Sequence, residues 1–147
     1  MKAVVQRVSR AEVKVAGDTV AEIATGYLVL IGIGRDDTDE TLAWMARKLT
    51  TLRVFGDEDG RMSLGLVDVD GQILVVSQFT LYGDVKKGTR PSFDRSAPAE
   101  RARELYDRFV GRLEALMPGR IQSGEFQAMM DVSLVNVGPV TILVEKE

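Results

Sequence analysis

The 147-residue chain contains no cysteine and no histidine. Those absences exclude disulfides, thiolate metal sites, cysteine nucleophiles and every catalytic triad with a histidine base. Long apolar runs are missing too: "YLVLIGIG" (27–34) and "ILVVSQFTL" (73–81) are far shorter than a membrane-spanning helix requires. Met1-Lys2 leads straight into a strand-like pattern with no apolar leader, so the expected location is cytoplasmic, with no membrane partner. Nor is there a strong charge of either sign, the formal net charge being −3. The whole molecule is therefore no electrostatic magnet for nucleic acid, and no DNA partner is expected. Any chemistry must come from hydroxyls, carboxylates, Lys, Arg, Tyr, backbone groups or the substrate itself.

What is present reads as one globular domain over residues 1–147, with 45% hydrophobic and 28% charged residues. "AVVQRVSRAEVKVAGDTVAEI" alternates apolar and polar positions around Gly17-Asp18, which predicts a hairpin with Val13, Val15, Val20 and Ile23 on its apolar positions. "YLVLIGIG" is a continuous apolar strand suited to a sheet covered on both faces. Between Thr38 and Leu52 the period turns helical, with Leu42, Met45, Ala46, Leu49 and Leu52 on one stripe. Ser96, Pro98 and Glu100 supply the capping chemistry of a second helix; Ala102, Leu105, Tyr106, Phe109, Val110, Leu113 and Leu116 form its buried face. The expected fold class is α/β, a layered or barrel-like sheet with two helices on one face.

Two acidic clusters, "DDTDE" (36–40) and "DEDGR" (57–61), are the only candidates for a carboxylate cation site. Neither has full EF-hand ligand spacing, so solvated turns or a helix start are the expectation and no metal is assigned. The densest polar cluster in an apolar setting is "VVSQFTLYGD" (75–84), where Ser77, Gln78 and Thr80 follow a buried strand into a loop. Ligand sites of α/β sheets lie at such strand ends, though hydroxyls there can also serve only neighbouring backbone. No Ser-x-x-Lys motif starts at Ser77 and Thr80 is not N-terminal, so no activated hydroxyl is assembled locally. A site of this kind suits an already labile bond, such as an activated ester, with backbone N–H groups stabilising the oxyanion.

One stretch resists a purely structural account. "NVGPVT" (136–141) puts Gly138-Pro139 in the middle of the strand-like "DVSLVNVGPVTILVE", where proline removes a ladder donor. "QRVSRA" (6–11), "SQFTL" (77–81), "KGTRPSF" (87–93) and "NVGPVT" occur in the order and spacing of the D-aminoacyl-tRNA deacylases, which the whole chain resembles. The paired motifs "SQFT" and "NxGPxT" are specific together, each alone being weak.

The resemblance implies a homodimeric hydrolase of the ester between a D-amino acid, or mischarged glycine, and the 3′-terminal adenosine of tRNA, without metal or organic cofactor. It implies a cis Gly-Pro bond entering the partner subunit's pocket, so that Gly138 and Pro139 complete a site built on Ser77, Gln78, Phe79 and Thr80. Their carbonyls would accept from the substrate's α-ammonium and occupy the space an L side chain needs. Backbone N–H groups near Phe79 and Thr80 would bind the oxyanion; Gln78 would orient the ester; Thr80 is read as nucleophile or positioning group, the missing base favouring the latter. Phe79 has two readings, stacking on adenine or core packing. So has Arg7, brace of the Gly-Pro loop or surface charge, and Met130, pocket wall or core. Lys86, Lys87 and Arg90 are candidates for tRNA phosphates near the 3′-CCA end, the alternative being a solvated loop. Two other functions fit the same residues: a non-catalytic dimeric module binding RNA 3′ ends or a metabolite, and a Ser/Thr hydrolase of small esters or peptides.

Overall fold

The computed structural model describes residues 1–147. In chain order it contains β1 (Lys2–Val15), β2 (Asp18–Ile23), β3 (Gly26–Gly32), helix α1 (Asp39–Thr51), β4 (Phe55–Gly56), β5 (Met62–Leu64) and β6 (Gln72–Ser77). A 3-10 turn (Phe79–Tyr82), helix α2 (Ala99–Leu116), β7 (Ile121–Ser123) and β8 (Asp131–Glu145) complete the chain. Six strands make the main sheet, ordered β2-β1-β3-β6-β7 with β8 on β1. β8 follows β1 along nearly its whole length, while β3 and β2 share the opposite edge. β3, β6 and β7 are mutually parallel, and β2 approaches β6 and β7 so that the sheet rolls into a nearly closed barrel.

Period-two alternation sorts the core into two compartments. Tyr27, Val29, Ile31, Ile73 and Val75 point toward the helices, where Leu42, Met45, Leu49, Leu105, Phe109 and Leu113 meet them. Leu28, Leu74 and Val76 point the other way, into the barrel, with Val8, Ala11, Val13, Ala21 and Ile23. β1 serves both. Ala3 and Val5 face the helices while Ala11 and Val13, also odd-numbered, face the barrel. The phase change occurs where the β1–β8 register shifts between Val8 and Arg10, an extra residue that bends the strand and inverts its facing. β3 meets β6 closely at Gly26, where a Cβ would lie 1.8 Å from the Gln72 carbonyl oxygen.

Both helices cover one face, as the apolar stripes predict. α1 starts on a capping box in which Thr38 and Thr41 exchange side-chain and backbone bonds, with Asp39 and Glu40 in its first turn. α2 departs from expectation at its start. Pro98, not Ser96, occupies the N-cap and no side chain caps the helix; the Ser96 hydroxyl donates instead to the Ala97 carbonyl at 3.4 Å. Two apolar positions also differ from their patterns. Leu116 is 48% exposed, in the last turn beside Val67 and Asp70, and Val20 is 43% exposed on the short β2.

The acidic clusters are occupied structurally. Buried Asp37 accepts from the N-terminal ammonium of Met1 at 2.7 Å and from the Gly34 N–H at 2.6 Å. Asp39 pairs with Arg108 and Arg112, tying α1 to α2. Asp57 organises the β4–β5 turn through Ser63 and the N–H groups of Asp59 and Arg61; these bonds hold its carboxyl below the usual range.

Candidate functional site

β3 and β6 end together, Ile31 opposite Ser77, and the chain leaving each strand builds one wall of a cleft of about 890 Å³. Ser77, Gln78, Phe79 and Thr80 line it together, joined by Phe93, the start of α2 and the 126–130 segment with Met130. Most of the lining is apolar. The polar strip follows directly from the sequence: the ladder bond from Gln78 N to the Ile31 carbonyl is the last of β6, after which the backbone turns into the 3-10 helix. The first bond of that turn runs from Leu81 N to the Gln78 carbonyl at 3.3 Å. The N–H groups of Phe79 and Thr80 precede it, where a helical turn leaves its donors free.

Gln78 Nε2 donates to Thr80 Oγ1 at 2.5 Å, so one lone pair of the hydroxyl is already engaged. No histidine, lysine or carboxylate lines the cleft to deprotonate it. Phe79 is 57% exposed, which removes core packing as its role, and its ring meets Phe93 edge-on at 5.0 Å between centroids. Phe93 lies in the "KGTRPSF" motif, far in sequence from the polar strip; only the folding back of the 84–95 loop, through paired Asp84 and Ser92 bonds, brings it to Phe79. Lys86, Lys87 and Arg90 are exposed on that loop and do not line the cleft.

Arg7, Gly138 and Pro139 form a separate group that contributes nothing to the cleft of their own protomer. β1 pairs with β8 at Gln6–Thr141 and again at Val8–Asn136, so Val137–Val140 bulge out opposite Arg7. This is how a proline is accommodated inside a strand: it sits in a bulge whose residues have no register partner on β1. The Gly138–Pro139 peptide is cis, and Gly138 has φ +127°, a region that favours glycine. Arg7 Nε donates to the Val137 carbonyl at 3.0 Å and Nη1 to the Val54 carbonyl at 2.5 Å, linking the bulge to the segment between α1 and β4. Asn136 closes the bulge from within. Its Oδ1 accepts from Val140 N at 2.8 Å, and its Nδ2 donates to the Val140 carbonyl and to Thr141 Oγ1. The sequence pattern by itself gives Asn136 no role; an Asn two residues before Gly-Pro is the signal that points to it.

Deep in the core, burial pushes the phenols of Tyr27 and Tyr106 well above their usual range. Their hydroxyls donate to the Leu52 and Val75 carbonyls, so both are structural supports behind the cleft and the bulge.

The family model described as D-Tyr-tRNA(Tyr) deacylase matches residues 4–145. A protein of Koribacter versatilis (strain Ellin345) called D-aminoacyl-tRNA deacylase is 54% identical over 147 residues, covering 100% of this chain and 98% of its own. One of Thermosipho africanus (strain TCF52B) with the same name is 50% identical, with 100% and 98% covered. Among solved structures, one described as c-Myc DNA Unwinding Element Binding Protein superposes with TM-score 0.95 at 45% identity, covering 100% of this chain and 99% of that one. Another, described as a probable eukaryotic D-amino acid tRNA deacylase, shares the fold at TM-score 0.82 and 20% identity, with 97% of each chain covered. By the family match over residues 4–145 and by relatives about half identical over nearly their whole length, the chain belongs to the D-Tyr-tRNA(Tyr) deacylase family.

Proposed function

We propose that this chain is a homodimeric, cytoplasmic D-aminoacyl-tRNA deacylase, one domain over residues 1–147, that hydrolyses the ester joining a D-amino acid to the 3′-terminal adenosine of tRNA. One observation carries the reading: a cleft whose polar strip, Ser77 to Thr80, offers hydrogen bonds and free backbone donors but no base, in a chain of this family. Such a site cannot activate a nucleophile for a stable amide, yet it can stabilise the oxyanion of an activated ester. The N–H groups of Phe79 and Thr80 take the carbonyl oxygen. Gln78 and Thr80, bonded to one another, orient the ester, and water attacks with help from the ribose hydroxyl beside it. The bond broken is carbonyl carbon to ribose oxygen; the products are the free amino acid and uncharged tRNA. Phe79 and Phe93 supply aromatic surface for the adenine. No cofactor takes part in this scheme.

Handedness is assigned to Gly138 and Pro139 of the partner subunit. Their bulge is exposed, held by Arg7 and Asn136, and lies outside its own protomer's cleft. β8 has no strand on its outer edge, and Val135, Val137 and Leu143 are exposed on it, which supports a second copy docking there. Main-chain oxygens delivered across that interface would hold the α-ammonium and fill the space of an L side chain, and mischarged glycine would escape the clash. Duplex DNA is not proposed as a partner: net charge is −3, and Lys86, Lys87 and Arg90 are gathered on one loop, suited to the phosphates of a single-stranded end.

The test is hydrolysis of D-aminoacyl-tRNA, its L counterpart and a free D-amino-acid ester by the purified protein. Turnover of the D substrate with the L substrate spared is expected. No turnover of any of them would leave a binding module. Replacing Pro139 with Ala should lower the D/L rate ratio, and an unchanged ratio in a folded dimer would count against the chirality assignment.

A further inference from the structure

The cleft has one charged lining residue, Arg35. It follows β3 at the same end of the sheet as Ser77, in the tight turn closed by Asp37 N to the Gly34 carbonyl. Its backbone is fixed by a bond from Arg35 N to the Arg95 carbonyl at 3.0 Å. Its guanidinium enters no ion pair, unlike Arg95, Arg108, Arg112 and Arg120, each held by a carboxylate. The neighbouring Asp37 is buried against the Met1 ammonium and is absent from the cleft.

Arg35 is exposed where it lines this mostly apolar cleft, so its unpaired guanidinium is accessible to an anion carried by whatever fills the cleft. The substrate of the proposed function carries a cationic α-ammonium at its aminoacyl end. Its nearest anion to the ester is the phosphodiester on the 5′ side of the terminal adenosine. A cation at the aminoacyl end would repel the ammonium, so Arg35 marks the nucleotide end of the cleft and fixes which way the substrate lies. We propose that Arg35 binds this last phosphodiester and is the residue by which the cleft distinguishes an ester carried on tRNA from the same ester on a lone nucleoside. Its planar fork of donors matches a phosphate's paired oxygens, which a lysine would meet only as a point charge. Lys86, Lys87 and Arg90, outside the cleft, then serve phosphates further from the ester.

This inference rests on the deacylase reading, and its test separates the two. Hydrolysis of D-aminoacyl-tRNA and of 3′-D-aminoacyl-adenosine, which has no phosphate, is measured for the wild-type chain, Arg35→Gln and Arg35→Lys. Arg35→Gln should lower kcat/KM on the tRNA by roughly 10- to 100-fold and leave the nucleoside ester unchanged. Its salt dependence should flatten by about 0.7 in log–log slope, one single-strand phosphate contact. Arg35→Lys should restore part of the rate and the slope. Equal loss on both substrates, no loss on either, or a wild-type chain that treats the two alike overturns the role of Arg35 while the deacylase reading stands. A wild-type chain inactive on both overturns the reading and this inference with it.

Discussion

Thr80 carries the sharpest ambiguity at the scale of single residues, and its surroundings decide how it acts. The hydroxyl already accepts from Gln78 Nε2, and no basic or acidic side chain of the cleft can take its proton. A hydroxyl in that state is a better donor to an ester than a nucleophile. Thr80→Ala should therefore lower kcat by about tenfold, the worth of one hydrogen bond, and no acyl-enzyme should be trapped by rapid quench and mass spectrometry. Abolished turnover in Thr80→Ala with a trapped acyl adduct in the wild type would make it the nucleophile. Ser77, Gln78, Phe79 and Thr80 were legible from sequence because a polar strip after an apolar strand is local. Phe93 and Arg35 were not, since they reach the strip only through loop folding and the end of a neighbouring strand.

Elements explain why the Gly-Pro pair is tolerated. β8 keeps its pairing with β1 on both sides of a four-residue bulge, so the sheet loses few bonds while the backbone projects outward. Asn136 substitutes for the missing ladder bonds with one accepted and two donated. Asn136→Ala removes all three. It should cost roughly 1–3 kcal/mol in urea unfolding, since the Val140 N–H loses its acceptor. If the bulge selects handedness, the D/L rate ratio should fall as well, whereas Asn136→Asp should keep the Oδ1 contact to Val140 and part of the stability. Helix α1 followed its stripe, and the face of α2 did so as far as Leu113, Leu116 being exposed. The α2 start did not, because serine, proline and acidic residues just ahead of a helix are compatible with several start positions and packing selects among them.

For the whole molecule, the decisive property is how charge and exposed apolar surface are distributed. An acidic protein that binds tRNA through a few local cations should do so with strong salt dependence. The triple variant Lys86→Gln, Lys87→Gln, Arg90→Gln should weaken tRNA binding at low salt and lower the log–log salt slope by up to about 2. Filter binding across 50–200 mM salt would show it, and an unchanged slope would assign those side chains to a solvated loop. The open edge of β8 makes the matching statement about assembly. Sedimentation at micromolar concentration should give a dimer, and a fully active monomer is incompatible with a site completed by a partner's bulge.

The amino-acid order by itself determined what is local: the chemistry excluded by missing His and Cys, the β1–β2 hairpin, both helical stripes, the polar strip after β6 and the oddity of a glycine-proline pair inside a strand. Each depends on neighbours a few residues apart, where periodicity and conformational preference act directly. Only the tertiary structure decided that Arg35 and Phe93 share a cleft with Thr80, that Arg7 links the bulge to the segment between α1 and β4, and that Gly138 and Pro139 do not line their own cleft. Those relations depend on strand register and on a bulge that inverts the facing of β1, and register is settled by how two core compartments fill at once.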